Sequence, residues 1–236
     1  MTLNNIQEYI TTLNSGVSLY DLPQEAQENK TIVSHALTRF NYINCMEYIH
    51  TKFRDDKEIA KIVLSKDGTQ LSYFSDKIKR NKEIIDIAVS NSGLSIKECK
   101  RKDVFNDKEL ALKAIETTPY AIQYFSATIR KDEQVALSAI QKISSTYKFL
   151  HYTLKHKKSF LLKVVKYKPT TLYYFCDKFK NDLDICIEAV INDLYIYYIL
   201  PKKMKVNENL YKAVILHYQK NNFNTEIVNK VFLEDK

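Results

Sequence analysis

The feature that most constrains this 236-residue chain is an internal period of about 25 residues. A polar opening followed by an apolar helical pattern recurs as Asp56-Lys57-Glu58-Ile59, Asn81-Lys82-Glu83-Ile84, Asp107-Lys108-Glu109-Leu110 and Asp132-Glu133-Gln134-Val135. Weaker copies open at Asn4, Asn29, Lys157, Asp182 and Asn207, with slips of one or two residues after Asn29 and Asn81. Periods of 20–50 residues mark repeat architectures, in which each unit buries its apolar face only by stacking on its neighbours.

The second half of each unit is periodic too. One column holds Leu22, Phe74, Cys99, Phe125, Leu150, Phe175 and Leu200; another, four residues on, holds Ile78, Ile129, Leu154, Phe179 and Met204. Three residues before the first column lie Leu71, Ile96, Ile122, Tyr147 and Leu172. Offsets of three, four and seven lie along one face of a helix. Between the halves runs a column of Gly16, Gly68, Gly93, Pro119, Ser144 and Pro169, residues that end one helix or open the next. Each unit therefore reads as helix, turn, helix, with Asp or Asn as N-cap and an acidic residue in the first turn. In the unit opening at Asn29, Glu47 falls where a large apolar residue is expected, and the segment Asn41–Asn44 reads as an insertion. In the unit opening at Asn81, Asp103 takes an apolar position. The chain after Asn221 leaves the pattern, and Thr225–Leu233 reads as a closing helix.

The expected fold is all-α: a solenoid of about nine helix-turn-helix repeats in a curved, right-handed superhelix-like array. It forms a single domain over 1–236, with starts near 4, 29, 56, 81, 107, 132, 157, 182 and 207 and a cap over 221–236. Only three glycines and four prolines occur, too few for the many tight turns of a strand-rich fold.

Units such as Asp107–Arg130, with Pro119-Tyr120-Ala121-Ile122-Gln123-Tyr124-Phe125-Ser126, resemble the helical repeats known as domain of unknown function 4116. So does Asp56–Arg80, with Leu71-Ser72-Tyr73-Phe74-Ser75-Asp76. The resemblance runs from about Asn4 to Gln219 and is closest from Asp56 to Arg130. The matching motif is a packing pattern, so what it implies is the fold and an interaction module, sometimes in proteins acting on a host. It transfers no catalytic residue.

Basic residues gather where one unit passes into the next: Lys77, Lys79, Arg80 and Lys82; Lys100, Arg101 and Lys102; Arg130 and Lys131; Lys155, Lys157 and Lys158; Lys178 and Lys180; Lys202, Lys203 and Lys205. On a 25-residue period these stack as a basic edge, and the net charge of +8 permits an acidic partner such as a phosphate backbone. The structural alternative is that they complement helix C-termini and pair with the acidic openings that follow. Tyr173, Tyr174, Tyr195, Tyr197 and Tyr198 supply aromatic contact area, because four neighbouring positions from 195 to 198 cannot all face inward. The candidate partner-binding residues are thus Lys100, Arg101, Lys102, Arg130, Lys131, Lys157, Lys158 and these five tyrosines.

Catalytic, cofactor and metal chemistry find no foothold. His151 and His156 are five apart, which does not place two ligands on one helical face, and Cys176 and Cys186 lack zinc-knuckle spacing. A phosphate-binding loop, a dinucleotide fingerprint and a nucleophile elbow are absent. Four irregularly spaced cysteines fit a reducing compartment, and no apolar run is long enough to span a membrane. The reading is a non-enzymatic scaffold that holds a protein partner, such as a pathogen, phage or viral factor acting on a host protein. The alternative is a nucleic-acid-binding solenoid. The location expected is cytoplasmic, or a host cell entered without a classical signal peptide; the oligomeric state is left open.

Overall fold

The polar residue that opens each repeat satisfies amides that the first turn of a helix would otherwise leave unpaired. In the computed structural model, which describes residues 2–39 and 45–233, the Asp56 carboxylate accepts from the Glu58 and Ile59 amides at 2.9 and 3.1 Å. Asn81, Asp107, Asp132 and Asp182 each accept from the amide three residues on, and Asn207 caps in the same way. Such a cap is worth about 1 kcal/mol. Lys157 occupies a cap position without a side-chain hydrogen bond. The first helix, Leu3–Asn14, is capped by Thr2 and not by Asn4 as its sequence suggests.

Behind these caps run ten-residue α-helices: Lys57–Lys66, Lys82–Asn91, Lys108–Thr117, Glu133–Lys142, Lys158–Tyr167 and Leu183–Asn192. Each buries the same four places, for example Ile84, Ile85, Ala88 and Val89, or Phe160, Leu161, Val164 and Val165. Every regular element among the described residues is helical.

The second half of the repeat departs from the expected single helix. It holds a six-residue 3₁₀ helix, then one or two extended residues, then a short turn of helix. Pro119–Tyr124 followed by Ala127–Arg130, and Pro169–Tyr174 followed by Asp177–Lys180, are examples. The reason is visible in the spacing. In a 3₁₀ helix, residues three apart eclipse, so Leu71 with Phe74, or Leu172 with Phe175, can share a face without an α-helical turn. The column residue itself is extended (Phe74 φ −82°, ψ 161°; Phe175 φ −71°, ψ 156°) and breaks the segment. All three apolar columns are nevertheless buried as expected.

The two slips in the period resolve into insertions in these connecting segments. Glu47 is exposed while Met46, Ile49 and Phe53 are buried, so two extra residues precede Met46. The expected insertion at Asn41–Asn44 lies outside the described residues. In the next irregular unit Asp103 is exposed and Val104 takes the apolar place, one residue late. Neither polar residue occupies the core.

By their contacts the residues fall into two units, one ending at Tyr124 and the other starting at Phe125. Within the first, Lys57–Lys66 packs on Lys82–Asn91 and that on Lys108–Thr117. Backbone amides join successive repeats: Ser75 N–H donates to Arg54 O at 2.8 Å, and Lys100 N–H to Lys79 O at 3.0 Å. Gly68 and Gly93 sit where the next repeat's helix crosses closest, and a Cβ there would run into the carbonyl oxygens of Ala88 and Ala114 respectively. Within the second unit, Glu133–Lys142, Lys158–Tyr167, Leu183–Asn192 and Glu208–Lys220 follow one another. Thr225–Leu233 closes it as expected, burying Val228, Val231 and Phe232.

Gly93→Ala should lower stability in urea denaturation by about 1–3 kcal/mol through overpacking. Ser144→Ala, at the equivalent place where a Cβ already fits, should cost under about 1 kcal/mol. Equal costs would refute the close approach. Phe175→Ala should cost about 3–5 kcal/mol, and a near-neutral result would mean that the column is not core.

Candidate interaction surface

Lysines at the first helical position reach across to the acidic opening of the next repeat. Lys30 pairs with Asp56 at 2.8 Å, Lys57 with Glu83 at 2.7 Å, Lys82 with Asp107 at 3.7 Å and Lys158 with Asp182 at 2.8 Å. Lys158 also reaches Asp184 at 2.7 Å, and Lys157 pairs with Glu133 at 2.7 Å. The lysines of these pairs are exposed and the carboxylates half-buried to exposed, and such surface pairs are individually worth about 1 kcal/mol or less. Within the basic clusters they give carboxylate partners to Lys82, Lys157 and Lys158.

A second set of cations folds back on its own or the neighbouring 3₁₀ helix. Lys79 Nζ donates to Ser72 O at 2.7 Å, Lys155 Nζ to Lys148 O at 2.6 Å and Arg130 Nη1 to Phe149 O at 3.2 Å. Lys180 lies 5.6 Å from the Tyr173 ring centroid, and Lys205 5.4 and 5.9 Å from those of Tyr197 and Tyr198. These positive groups meet the carbonyl ends of short helices or the negative faces of aromatic rings.

Of the basic candidates, Arg101 is held by Asp103 at 2.8 Å, and Arg130, Lys157 and Lys158 have the partners just given. Lys100, Lys102 and Lys131 are exposed.

The 3₁₀ geometry decides which tyrosines face out. In Leu194–Ile199, Tyr195 and Tyr198 eclipse on the outer edge, 72% and 41% exposed, with ring centroids 6.3 Å apart. Ile199 beside them is 43% exposed. Tyr197 is only 1% exposed; its ring packs 4.3 Å from Phe232 and its hydroxyl donates to Lys205 O at 3.3 Å. The expectation that Tyr197 contacts a partner is therefore corrected: it belongs to the core, because inward positions of a 3₁₀ turn come in adjacent pairs (here Ile196 and Tyr197). One repeat earlier, Tyr173 is 64% exposed and lies edge-to-face with half-buried Tyr174 at 5.2 Å.

Two shallow depressions share Tyr174. One, of about 480 Å³, runs between Tyr173 and Tyr174 on one side and Tyr195 and Ile199 on the other, with Asp193 among its lining. The other, of about 360 Å³, is lined by Tyr147, Lys148, Lys155, His156, Tyr174 and Cys176. Lys148 Nζ stands 4.9 Å from the Tyr174 centroid, and burial, aided by the Arg130 charge, holds Lys155 below the ordinary ammonium value. Ile199, Lys148, Lys155 and His156 were not singled out as partner-binding residues by the sequence. On the 25-residue period Lys148 is the equivalent of Tyr173 and Tyr198, and that spacing would have placed it on the same outer edge.

Among the described residues no three His, Cys, Asp or Glu side chains converge as a metal site, and no helix is long and apolar enough to cross a membrane. Burial pushes the Cys99 and Cys186 thiols up to about 12, so both are protonated and poorly nucleophilic near neutrality.

Glu83 offers a check on the ion-pair row. Hydrogen bonds from Lys57 and Lys61, at 2.7 and 2.8 Å, hold its carboxyl at about 2 against an ordinary 4.5. The folded chain thus binds this proton less tightly than the unfolded one. The resulting stability is complete above about 4.5 and is lost as pH falls towards about 2. Glu83→Gln should lose less stability than the wild type over that range, with salt shrinking the difference. Identical pH profiles in urea denaturation would remove the pairing.

No significant similarity exists to any curated protein or to any solved structure. The family described as domain of unknown function (DUF4116) matches residues 29–79, 56–101, 107–155 and 157–205, most matches spanning two successive repeats. With these four matches over most of its length, the chain belongs to the DUF4116 family of helical repeat proteins.

Proposed function

We propose that this chain is a non-enzymatic interaction scaffold that binds a protein partner along the outer edge of its C-terminal 3₁₀ helices. The observation that carries this reading is the row of Tyr173, Tyr174, Tyr195, Tyr198 and Ile199, aromatic and apolar side chains left at the surface around open depressions. Tyrosine and isoleucine give contact area on rigid side chains, and protein interfaces are enriched in tyrosine for that reason. The ion pairs of Arg101, Lys157 and Lys158 speak against a continuous basic track for nucleic acid, since phosphates would have to displace carboxylates already in place. The narrower reading is a pathogen, phage or viral factor that engages a host protein, acting in the cytoplasm or delivered into the host cell.

The test is affinity capture from the cells in which the chain works, after nuclease treatment, with wild type beside a Tyr173→Ser/Tyr195→Ser/Tyr198→Ser variant. The same partner should be retained by the wild type and lost by the variant while both give the same helical circular dichroism. Fluorescence anisotropy with labelled single- and double-stranded nucleic acid across a salt series supplies the opposing outcome. Tight binding that falls steeply with salt, unchanged by the tyrosine substitutions, would overturn the proposal in favour of a nucleic-acid scaffold.

A further inference from the structure

We propose that the cleft between the 3₁₀ helices Ser144–Phe149 and Pro169–Tyr174 takes an acidic segment of a protein partner, seating carboxylates against the ammonium groups of Lys148 and Lys155. This deepens the scaffold reading and rests on it.

The argument is one of charge. On the α-helical side of this unit three lysines stand beside carboxylates: Lys157 and Lys163 on Glu133, and Lys158 on Asp182 and Asp184. The cleft instead gathers cations without a carboxylate in its lining. Its six lining residues include two lysines and a histidine and no acidic side chain. Lys155 Nζ donates to the neutral carbonyl of Lys148 at 2.6 Å, and Lys148 Nζ rests over the Tyr174 ring at 4.9 Å. The Arg130 guanidinium, bonded to Phe149 O at 3.2 Å, adds like charge that opposes the Lys155 ammonium. Neutral carbonyls and aromatic faces stabilise these cations in part, and an incoming anion would complete the task in a site partly shielded from water.

The surroundings select a peptide over a polyanion. The second depression, on the far side of Tyr174, is walled by Tyr173, Tyr195 and Ile199 and carries Asp193. A nucleic-acid strand leaving the lysines would meet an apolar wall and a negative charge. A peptide whose acidic residues are followed by apolar ones matches both depressions in turn.

The probe is a fluorescein-labelled peptide of about twelve residues, acidic in one half and leucine-rich in the other, titrated with the intact chain at low salt and followed by anisotropy. Binding is expected. It should weaken at least about tenfold when the acidic residues are replaced by glutamine, and by a similar factor in Lys148→Glu. Lys148→Gln should give a smaller loss in the same direction, and Lys203→Glu, an exposed lysine outside the cleft, should stay within about twofold. Equal binding of the glutamine peptide would overturn the proposal. So would equal losses in Lys148→Glu and Lys203→Glu, or an oligothymidylate of matched charge that binds as well as the peptide. If the acidic peptide fails while the tyrosine variant still loses its captured partner, the scaffold reading stands and this one falls.

Discussion

Helices of ten residues do not persist alone in water, since nucleation costs more than so few hydrogen bonds return. Within each of the two units, everything else depends on burying the four-residue apolar stripe of one such helix against the next. The stripe mixes large residues with alanine, as in Ile84, Ile85, Ala88 and Val89, so backbones can approach closely. That approach explains the glycines at 68 and 93, which lie against the carbonyls of Ala88 and Ala114. It also leaves the helix starts in register, so that Lys57 meets Glu83 and Lys158 meets Asp182 one repeat away.

The stack divides labour between the halves of a repeat. The α-helices supply most of the core and, at several of their N-termini, lysines paired with carboxylates of a neighbouring repeat. The 3₁₀ helices bury two adjacent residues and present the ones on either side. What occupies those outward places varies: Ser72 in one repeat, Lys148 in another, Tyr173 and Tyr198 in two more. A change at an outward place costs the fold little, so that edge can be tuned for recognition while the inner columns are held by packing.

Much of this was legible in the sequence. The 25-residue period, the Asp and Asn caps and the three buried columns could be read because capping and burial act on single positions at fixed spacing. The 3₁₀ form of the second half could not, because offsets of three and seven also suit an α-helix and nothing local marks Phe74 or Phe175 as the extended residue that breaks the segment. That ambiguity carried into the surface. Tyr197 was grouped with its outward neighbours, whereas the 3₁₀ phase turns it inward onto Phe232. Membership of the basic clusters was equally plain from sequence, but not the partners of Lys77, Lys157 and Lys158, which lie 22 to 26 positions away.

The slips in the period bear on how such a chain can change over time. Two residues are added before Met46 and one before Val104, and in each case the following cap, at Asp56 and at Asp107, resumes its usual bonds. The connecting segment therefore works as a length buffer: an insertion there is absorbed within one unit and leaves the phase of later helices intact. Duplication or loss of a whole unit meets the same tolerance, since each helix asks only for a neighbour of matching stripe. Array length and surface composition can accordingly drift apart, and proteins of different reach and different partners can descend from one packing solution.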